Sequence, residues 1–136
     1  MPEPGPEPRP QDMPPSPTPT PAVTEARLDR AARQLHLAFE DGTHHSFDAE
    51  FLRVLSPSAE VQGHGPGQVV TVPGKRQVGI TALEVVGNYA LRIIFDDGHD
   101  TGIYSWAYFQ ELGAERDAKW RRYLNALKLE GLSRDP

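Results

Sequence analysis

The sequence contains no cysteine among its 136 residues. This excludes disulfide bonds, thiolate nucleophiles, zinc sites with cysteine ligands and iron–sulfur clusters held by cysteines of this chain. No apolar run approaches the roughly 20 residues that a membrane-spanning helix needs, and the N-terminus lacks the basic and apolar regions of a secretory signal. We therefore expect a cytoplasmic protein that does not enter the membrane.

An excess of basic residues is also missing, since the formal net charge is −5. This balance argues against a protein that binds nucleic acid by neutralising phosphates. Proline is scarce except at the start, where ten of the 14 prolines lie in residues 1–21. Residues 1–22 have little to bury, so we predict a disordered or locally polyproline II tail. Its PxxP spacings, such as Pro14 to Pro17, would fit an aromatic groove, but they also arise by chance in so proline-rich a segment.

The stretch from Val78 to Trp106 carries the clearest structural pattern. Residues 78–86 and 89–95 are rich in β-branched and aromatic residues, and each run ends at a turn dipeptide, Gly87-Asn88 or Asp97-Gly98. The pattern predicts a three-stranded antiparallel meander.

A two-residue turn at Asp97-Gly98 would also set the register of the second hairpin. The predicted pairs are Asp96 with His99, Phe95 with Asp100, and Ile93 with Gly102. Leu91, Ile93 and Phe95 then share one face, whereas Ile94, Thr101 and Ile103 share the other. Apolar residues on both faces predict that both faces of these strands are covered.

The same pattern occurs earlier in the chain. Residues 35–47 alternate apolar and polar side chains around Asp41-Gly42, and Asp48 is placed to cap a helix over 49–55. Apolar and turn residues of the two hairpins correspond at an offset of 56 positions, which indicates an internal ββα duplication, although hairpin patterns alone would produce much of the match. Residues 23–34 fit either a short helix capped by Thr24 or a strand ending near Leu28 with a turn over 29–33.

The remaining segments predict a long connection and two helices. Residues 56–76 are rich in glycine and proline, with one edge strand over 69–72 and no phosphate-binding motif. Ser105 is predicted to cap a helix over 106–112 that Gly113 ends. A last helix is predicted over 114–130, ending at Gly131. Its apolar stripe is predicted to pack on the sheet: Trp120, Tyr123, Leu124 and Leu127.

These patterns define an α+β protein with a small antiparallel sheet, built from hairpins, on which two or three helices pack. We predict three parts: a tail (1–22), a domain (23–112) and a C-terminal amphipathic helix (113–136) packed on or flanking that domain.

Histidines and carboxylates near the second hairpin suggest a metal site. His99, beside Asp97 and Asp100, could bind a divalent ion together with His64, His44 or His45. Alternatively, His99 only follows the turn and hydrogen-bonds to Asp96 or Asp97. A carboxylate-pair hydrolase at the hairpin tip is disfavoured, because acid–base catalysis needs a desolvated carboxyl group. Ser56 and Ser58 lack the Gly-x-Ser-x-Gly context of a nucleophile.

Two strings, FEDGTHHSFDAEFLRVLSPSAEVQGHG and VGITALEVVGNYALRIIFDDGHDTGIYSW, resemble the N-terminal domain of gamma-butyrobetaine hydroxylase and its free-standing bacterial relatives. The resemblance covers about residues 24–112 and favours the strand over 23–28. It implies a small α+β module, which in the hydroxylases holds zinc through three cysteines and one histidine. The cysteine positions are Ser56, Ser58 and Val61 here, and the histidine is His99. Because structural zinc needs four nitrogen or sulfur ligands, we expect that zinc site to be lost and no cofactor to be bound.

The resemblance places the catalytic iron of the hydroxylases in a separate domain that this sequence does not contain, and no His-x-Asp or His-x-Glu pair occurs here. We therefore predict a non-catalytic adaptor that docks to a protein partner through residues 56–67 and the hairpin tip 97–101. Arg53 would anchor that loop or face water. Candidate contact residues are Arg53, His64, Asp97 and Asp100.

The alternative function is a metal-binding or iron–sulfur trafficking accessory that uses His99, with an iron–sulfur assembly or carrier protein as its partner. It rests on the family resemblance, since the domain also occurs attached to P-loop ATPases that carry iron–sulfur clusters. A small enzyme would need a ligand pocket lined by carboxyl groups of raised pKa, which the sequence does not reveal.

Overall fold

The computed structural model describes residues 20–62 and 69–136, where the chain forms six strands and four helices. The strands are β1 (Val23–Asp29), β2 (Gln34–Phe39), β3 (His44–Asp48), β4 (Ile80–Val86), β5 (Ala90–Phe95) and β6 (Gly102–Ser105). The helices are α1 (Ala49–Val54), α2 (Ala59–Gln62), α3 (Trp106–Ala114) and α4 (Arg116–Leu129). Most of the predicted proline-rich tail, residues 1–19, lies outside the described residues. No helix within the described ranges is both long enough and apolar enough to cross a membrane.

The strands form two antiparallel sheets of three strands each, in the orders β1-β2-β3 and β4-β5-β6. The α+β class and the meander are confirmed, but the single predicted sheet is divided into two. Residues 23–29 form a strand followed by a turn, so the strand interpretation of this segment is the correct one.

The two halves of the domain repeat the same arrangement of three strands and a helix. β2 and β5 have six residues each and lie 56 positions apart. Each first strand is irregular near its start, between Val23 and Glu25 in β1 and between Ile80 and Ala82 in β4. The sequence repeat is therefore also a repeat in the fold, which is what an internal duplication would produce.

The turn of the second hairpin differs from the prediction. Ile93 pairs with Gly102 as expected, but the Phe95 N–H donates to the carbonyl of His99 at 3.0 Å, so Phe95 is not paired with Asp100. The turn has three residues, 96–98, because Gly98 adopts φ of +90° and takes the third place, as in a hairpin with a glycine bulge.

One hydrophobic core draws on both sheets and on α1 and α3. Leu91, Ile93 and Phe95 face it, as predicted. The other face of the second sheet is not covered, and Ile103 is exposed there. That prediction was wrong because a polar ladder occupies this face: Arg92 pairs with Glu84 at 2.6 Å and with Asp100 at 3.2 Å.

Two helix signals act differently from the prediction. The Ser105 hydroxyl caps α3 by accepting from the Tyr108 N–H at 3.0 Å, as predicted. Asp48 precedes α1, but its carboxylate accepts from Gln34 Nε2 and makes no cap hydrogen bond. Gly113 does not end α3, which continues to Ala114. A Cβ at Gly113 would lie 2.4 Å from the His45 ring, so this glycine serves close packing and not helix termination.

Helix α4 packs mainly on other helices and not on the sheet as predicted. Tyr123 and Leu127 are buried with Val54 at the end of α1, while Leu124 faces solvent. Residues 69–72 form no strand. Among the described backbone hydrogen bonds outside helices and strands, this segment donates one, from the Val70 N–H to the Val61 carbonyl.

The C-terminal residues continue this layer. Arg134 makes a two-pronged hydrogen bond to Glu50 of α1 at 2.6 and 2.7 Å. The N–H groups of Gly74 and Arg76 donate to the carbonyls of Ser133 and Arg134, respectively. Residues 130–136 therefore join α1 to the connection before β4.

Candidate functional site

A chain of polar side chains connects the segment after α1 to the second hairpin. Ser56 follows α1, Glu60 lies in α2, and His99 follows the hairpin turn. The Ser56 Oγ lies 2.9 Å from His99 Nε2, and His99 Nδ1 lies 2.8 Å from Glu60 Oε2. The His99 side chain is only 2% exposed, whereas that of Glu60 is 62% exposed. We call Ser56, His99 and Glu60 the polar clasp.

Further hydrogen bonds surround the polar clasp. Ser58 Oγ lies 2.6 Å from Thr101 Oγ1, and Gln62 Nε2 donates to the Ser56 carbonyl at 2.9 Å. The Ser58 N–H donates to Ser56 Oγ at 3.3 Å. Residues 56–62 are thus attached to the hairpin through Ser56, Ser58 and Glu60, and further hydrogen bonds close the segment on itself.

The hairpin provides room for the polar clasp. A Cβ at Gly102 would lie 2.7 Å from Ser56 Oγ and 2.9 Å from the Tyr104 ring, so no larger residue fits there without displacement. Tyr104 donates its hydroxyl to the Leu52 carbonyl, and burial raises the pKa of Tyr104 far above its usual range. Tyr104 is therefore a permanently neutral donor that holds α1 to β6.

The connectivity of the polar clasp is that of a serine–histidine–carboxylate triad, in which a hydroxyl contacts Nε2 and a carboxylate contacts Nδ1. A nucleophile must also reach its substrate, and Ser56 is completely buried. In this conformation the clasp holds residues 56–62 in place, and the buried Ser56 hydroxyl cannot reach a substrate. Sequence reasoning missed Glu60.

The predicted metal ligands are not brought together. His45 lies in the first sheet, where its Nε2 is 3.3 Å from Gln110 Oε1, and His44 is exposed on the same strand. His64 lies outside the described residues. Within residues 20–62 and 69–136, no group of three or more His, Asp or Glu side chains could hold a metal ion.

The alternative prediction for His99 holds only for its backbone. The His99 N–H donates to Asp97 Oδ1 at 3.0 Å, while both ring nitrogens contact Ser56 and Glu60 instead of Asp96 or Asp97.

The positions that correspond to the zinc ligands of the hydroxylases do meet in one buried region. Ser56 and His99 are in contact, Ser58 bonds to Ser56, and Val61 is buried in α2. Two hydroxyls, one alkyl group and one imidazole do not fit zinc, which needs four nitrogen or sulfur donors in such a site. The residues at these positions therefore do not fit a zinc ion.

A second polar group lies beside the clasp, at the hairpin tip. Asp97 Oδ2 lies 2.7 Å from Arg53 Nε and 2.6 Å from Lys75 Nζ. Burial alone would raise the pKa of Asp97, but hydrogen bonds from Lys75, the His99 N–H and Arg53 outweigh it and lower the pKa to about 2. Arg53 thus anchors the hairpin tip to α1 and does not face water.

A cleft of about 430 Å³ opens between the helices next to residues 56–62. Its floor is apolar and includes Val54, Leu55 and Tyr123, and Gln62 and Val69 lie at one side. Val69 and Val70 are 62% and 50% exposed. The polar rim consists of Glu111, Lys119 and Arg122. We call this cleft the α4 groove.

The fold and the polar clasp define a small α+β module that has two hairpin–helix halves and an internal hydrogen-bond network without cysteine. The chain belongs to the family described as gamma-butyrobetaine hydroxylase-like, N-terminal, whose pattern it matches over residues 26–110.

Solved structures support this assignment. Two proteins determined by NMR in solution are 45% and 44% identical, with TM-scores of 0.77 and 0.74. The first match covers 91% of this chain and 92% of the other, and the second covers 86% and 92%. A crystal structure of a protein of unknown function from Acidithiobacillus ferrooxidans, a member of the DUF971 family, is 35% identical with a TM-score of 0.59 and covers 72% of this chain and 99% of the other. No curated protein matches the sequence.

Proposed function

We propose that this protein is a non-catalytic adaptor module that docks to a protein partner through the α4 groove. The observation that carries the proposal is a pair of exposed valines, Val69 and Val70, beside a groove with an apolar floor. Exposed apolar side chains that line a groove mark interaction sites more often than isolated ones do.

The groups that could perform chemistry are engaged in holding the fold together. Ser56 is buried and bonded to His99, and Asp97 is paired with Arg53 and Lys75. This supports a module recognised by its shape and surface instead of by a reaction at these side chains.

The α4 groove adjoins the contact surface predicted from the sequence. Gln62 at the end of α2 and Val69 both line it, and they flank the predicted contact loop. Of the four predicted contact residues, Arg53 and Asp97 are occupied with each other, and Asp100 pairs with Arg92 on the outer face of the second sheet. None of these three residues lines the α4 groove, and His64 lies outside the described residues.

The alternative of a metal-binding or iron–sulfur trafficking accessory gains no further support, because both ring nitrogens of His99 are already hydrogen-bonded within the chain. An iron–sulfur assembly or carrier protein remains one candidate for the docking partner. A cytoplasmic location is part of this proposal.

The test is purification of the full-length tagged protein from its host, in the wild-type form and with one valine changed. Val70→Glu puts a charge beside the groove and should remove a partner that copurifies stoichiometrically with the wild type. Val85→Glu is the matched control, since Val85 is 72% exposed on β4 and does not line the groove. A partner retained by Val70→Glu, or a wild-type protein repeatedly recovered alone, would contradict the proposal.

A further inference from the structure

We infer that the α4 groove takes an acidic amphipathic segment of the partner protein, with an apolar stripe on the groove floor and carboxylates facing the rim. This inference rests on the proposed docking function and specifies the chemistry of the partner.

The apolar half of the match comes from the groove floor. Val54 and Tyr123 are buried, and Leu55 is partly buried beside them. Tyr108 and Tyr123 give their hydroxyls to the carbonyls of Leu55 and Val72, so these rings present hydrocarbon to the cleft with their polar tips already satisfied. Such a floor favours apolar side chains of a ligand.

The acidic half of the match comes from the charge of α4. The chain carries a net charge of −5, yet the α4 sequence RDAKWRRYLNALKL has five basic residues and one acidic residue. Two of the basic residues, Lys119 and Arg122, lie on the groove rim. Lys119 pairs with Glu111 at 3.4 Å, whereas Arg122 is exposed and makes no ion pair with a described residue. Because Glu111 offsets Lys119, the rim has one excess positive charge, at Arg122, and this charge is complementary to a partner carboxylate.

Other occupants fit less well. A second copy of the chain would bring two basic α4 helices together, which costs energy through like-charge repulsion. An anionic membrane would need an apolar surface that it can lie flat against, whereas the apolar residues here lie at the floor of a cleft or, like Leu127, in the core. A nucleic acid would use the rim charges but leave the apolar floor unused.

The experiment measures fluorescence anisotropy of two labelled helical peptides with the full-length protein. Both probes have about 18 residues, enough to form a helix, and share one leucine stripe; the flanking positions are glutamate in one probe and lysine in the other. We expect the glutamate probe to bind more tightly. Arg122→Glu should weaken its binding by about three- to tenfold and strengthen that of the lysine probe, since one rim charge is reversed. Arg27→Glu, an exposed arginine on β1, is the control and should change neither.

Equal binding of the two probes, no effect of Arg122→Glu, or binding of anionic vesicles or RNA in place of the glutamate probe would overturn the inference. Copurification of the natural partner with Val70→Glu distinguishes failure of this inference from failure of the proposed function. If Val70→Glu removes the partner while the glutamate probe does not bind, docking at the groove stands and the acidic segment is wrong. If the partner survives Val70→Glu, the docking function itself fails.

Discussion

Replacement of Ser56 by alanine removes the hydroxyl that contacts His99 Nε2. The resulting methyl group leaves one buried imidazole nitrogen without a partner and also removes the acceptor of the Ser58 N–H. Leaving a buried polar group unsatisfied costs about 1–3 kcal/mol. We expect the free energy of unfolding to fall by about 2 kcal/mol. At about 4 °C per kcal/mol for a chain of this size, the midpoint of thermal unfolding should fall by about 8 °C.

The control for this measurement is a second serine–histidine pair. Ser46 Oγ lies 2.6 Å from His36 Nδ1, but Ser46 is exposed on β3. Ser46→Ala leaves its histidine open to water, so the loss should be below about 0.5 kcal/mol. Thermal and urea unfolding followed by circular dichroism, with and without a chelator, would measure both variants. Equal losses for the two, or a chelator effect on the wild type, would refute the role assigned to the polar clasp.

Three further predictions follow from the contacts of the clasp, the hairpin tip and α3. The first variant has cysteine at the three zinc-ligand positions: Ser56→Cys, Ser58→Cys and Val61→Cys. It should retain one zinc per chain after dialysis, measured by elemental analysis, because three thiolates and the His99 imidazole give four sulfur or nitrogen donors where the wild type has one. Addition of His99→Ala should abolish this zinc binding. Asp97→Asn should flatten the acid unfolding curve: the lowered pKa of Asp97 stabilises the wild type above about pH 4, and that stability is lost as pH falls towards 2; identical curves would contradict this. Gly113→Ala should cost about 1–3 kcal/mol in urea unfolding by pressing a methyl group into the His45 ring, and adding His45→Ala should recover part of the loss.

The predicted elements that proved correct depend on local signals. The alternation in β2 and β5 and the Asp-Gly turns act within a few residues, so the sequence is enough to identify the hairpins. The wrong predictions are those for segments whose structure depends on contacts with residues distant in the sequence. Gly113 is a typical helix stop, but the neighbouring His45 ring from the other half of the chain explains why glycine is there. Residues 69–72 have high β propensity, but none of the strands in the described part of the chain pairs with them.

The candidate site could be predicted only in part, for the same reason. The resemblance brought Ser56, Ser58 and His99 to one place, and the structure puts the Ser56 hydroxyl in contact with the His99 ring and with the Ser58 N–H. Glu60 was missed because nothing in its local sequence indicates that a histidine 39 residues later lies beside it. The α4 groove was missed because it is formed by five separate segments, whose apolar residues each resemble ordinary core positions.

The polar clasp explains how a chain without cysteine can keep α2 against the second hairpin. Each hydrogen bond from Ser56 and Ser58 contributes about 1 kcal/mol net, and burial of Val61 adds about 1.5–3 kcal/mol. Several weak contacts therefore hold α2 in place together. For this reason Ser56→Ala should lower the free energy of unfolding measurably without unfolding the protein.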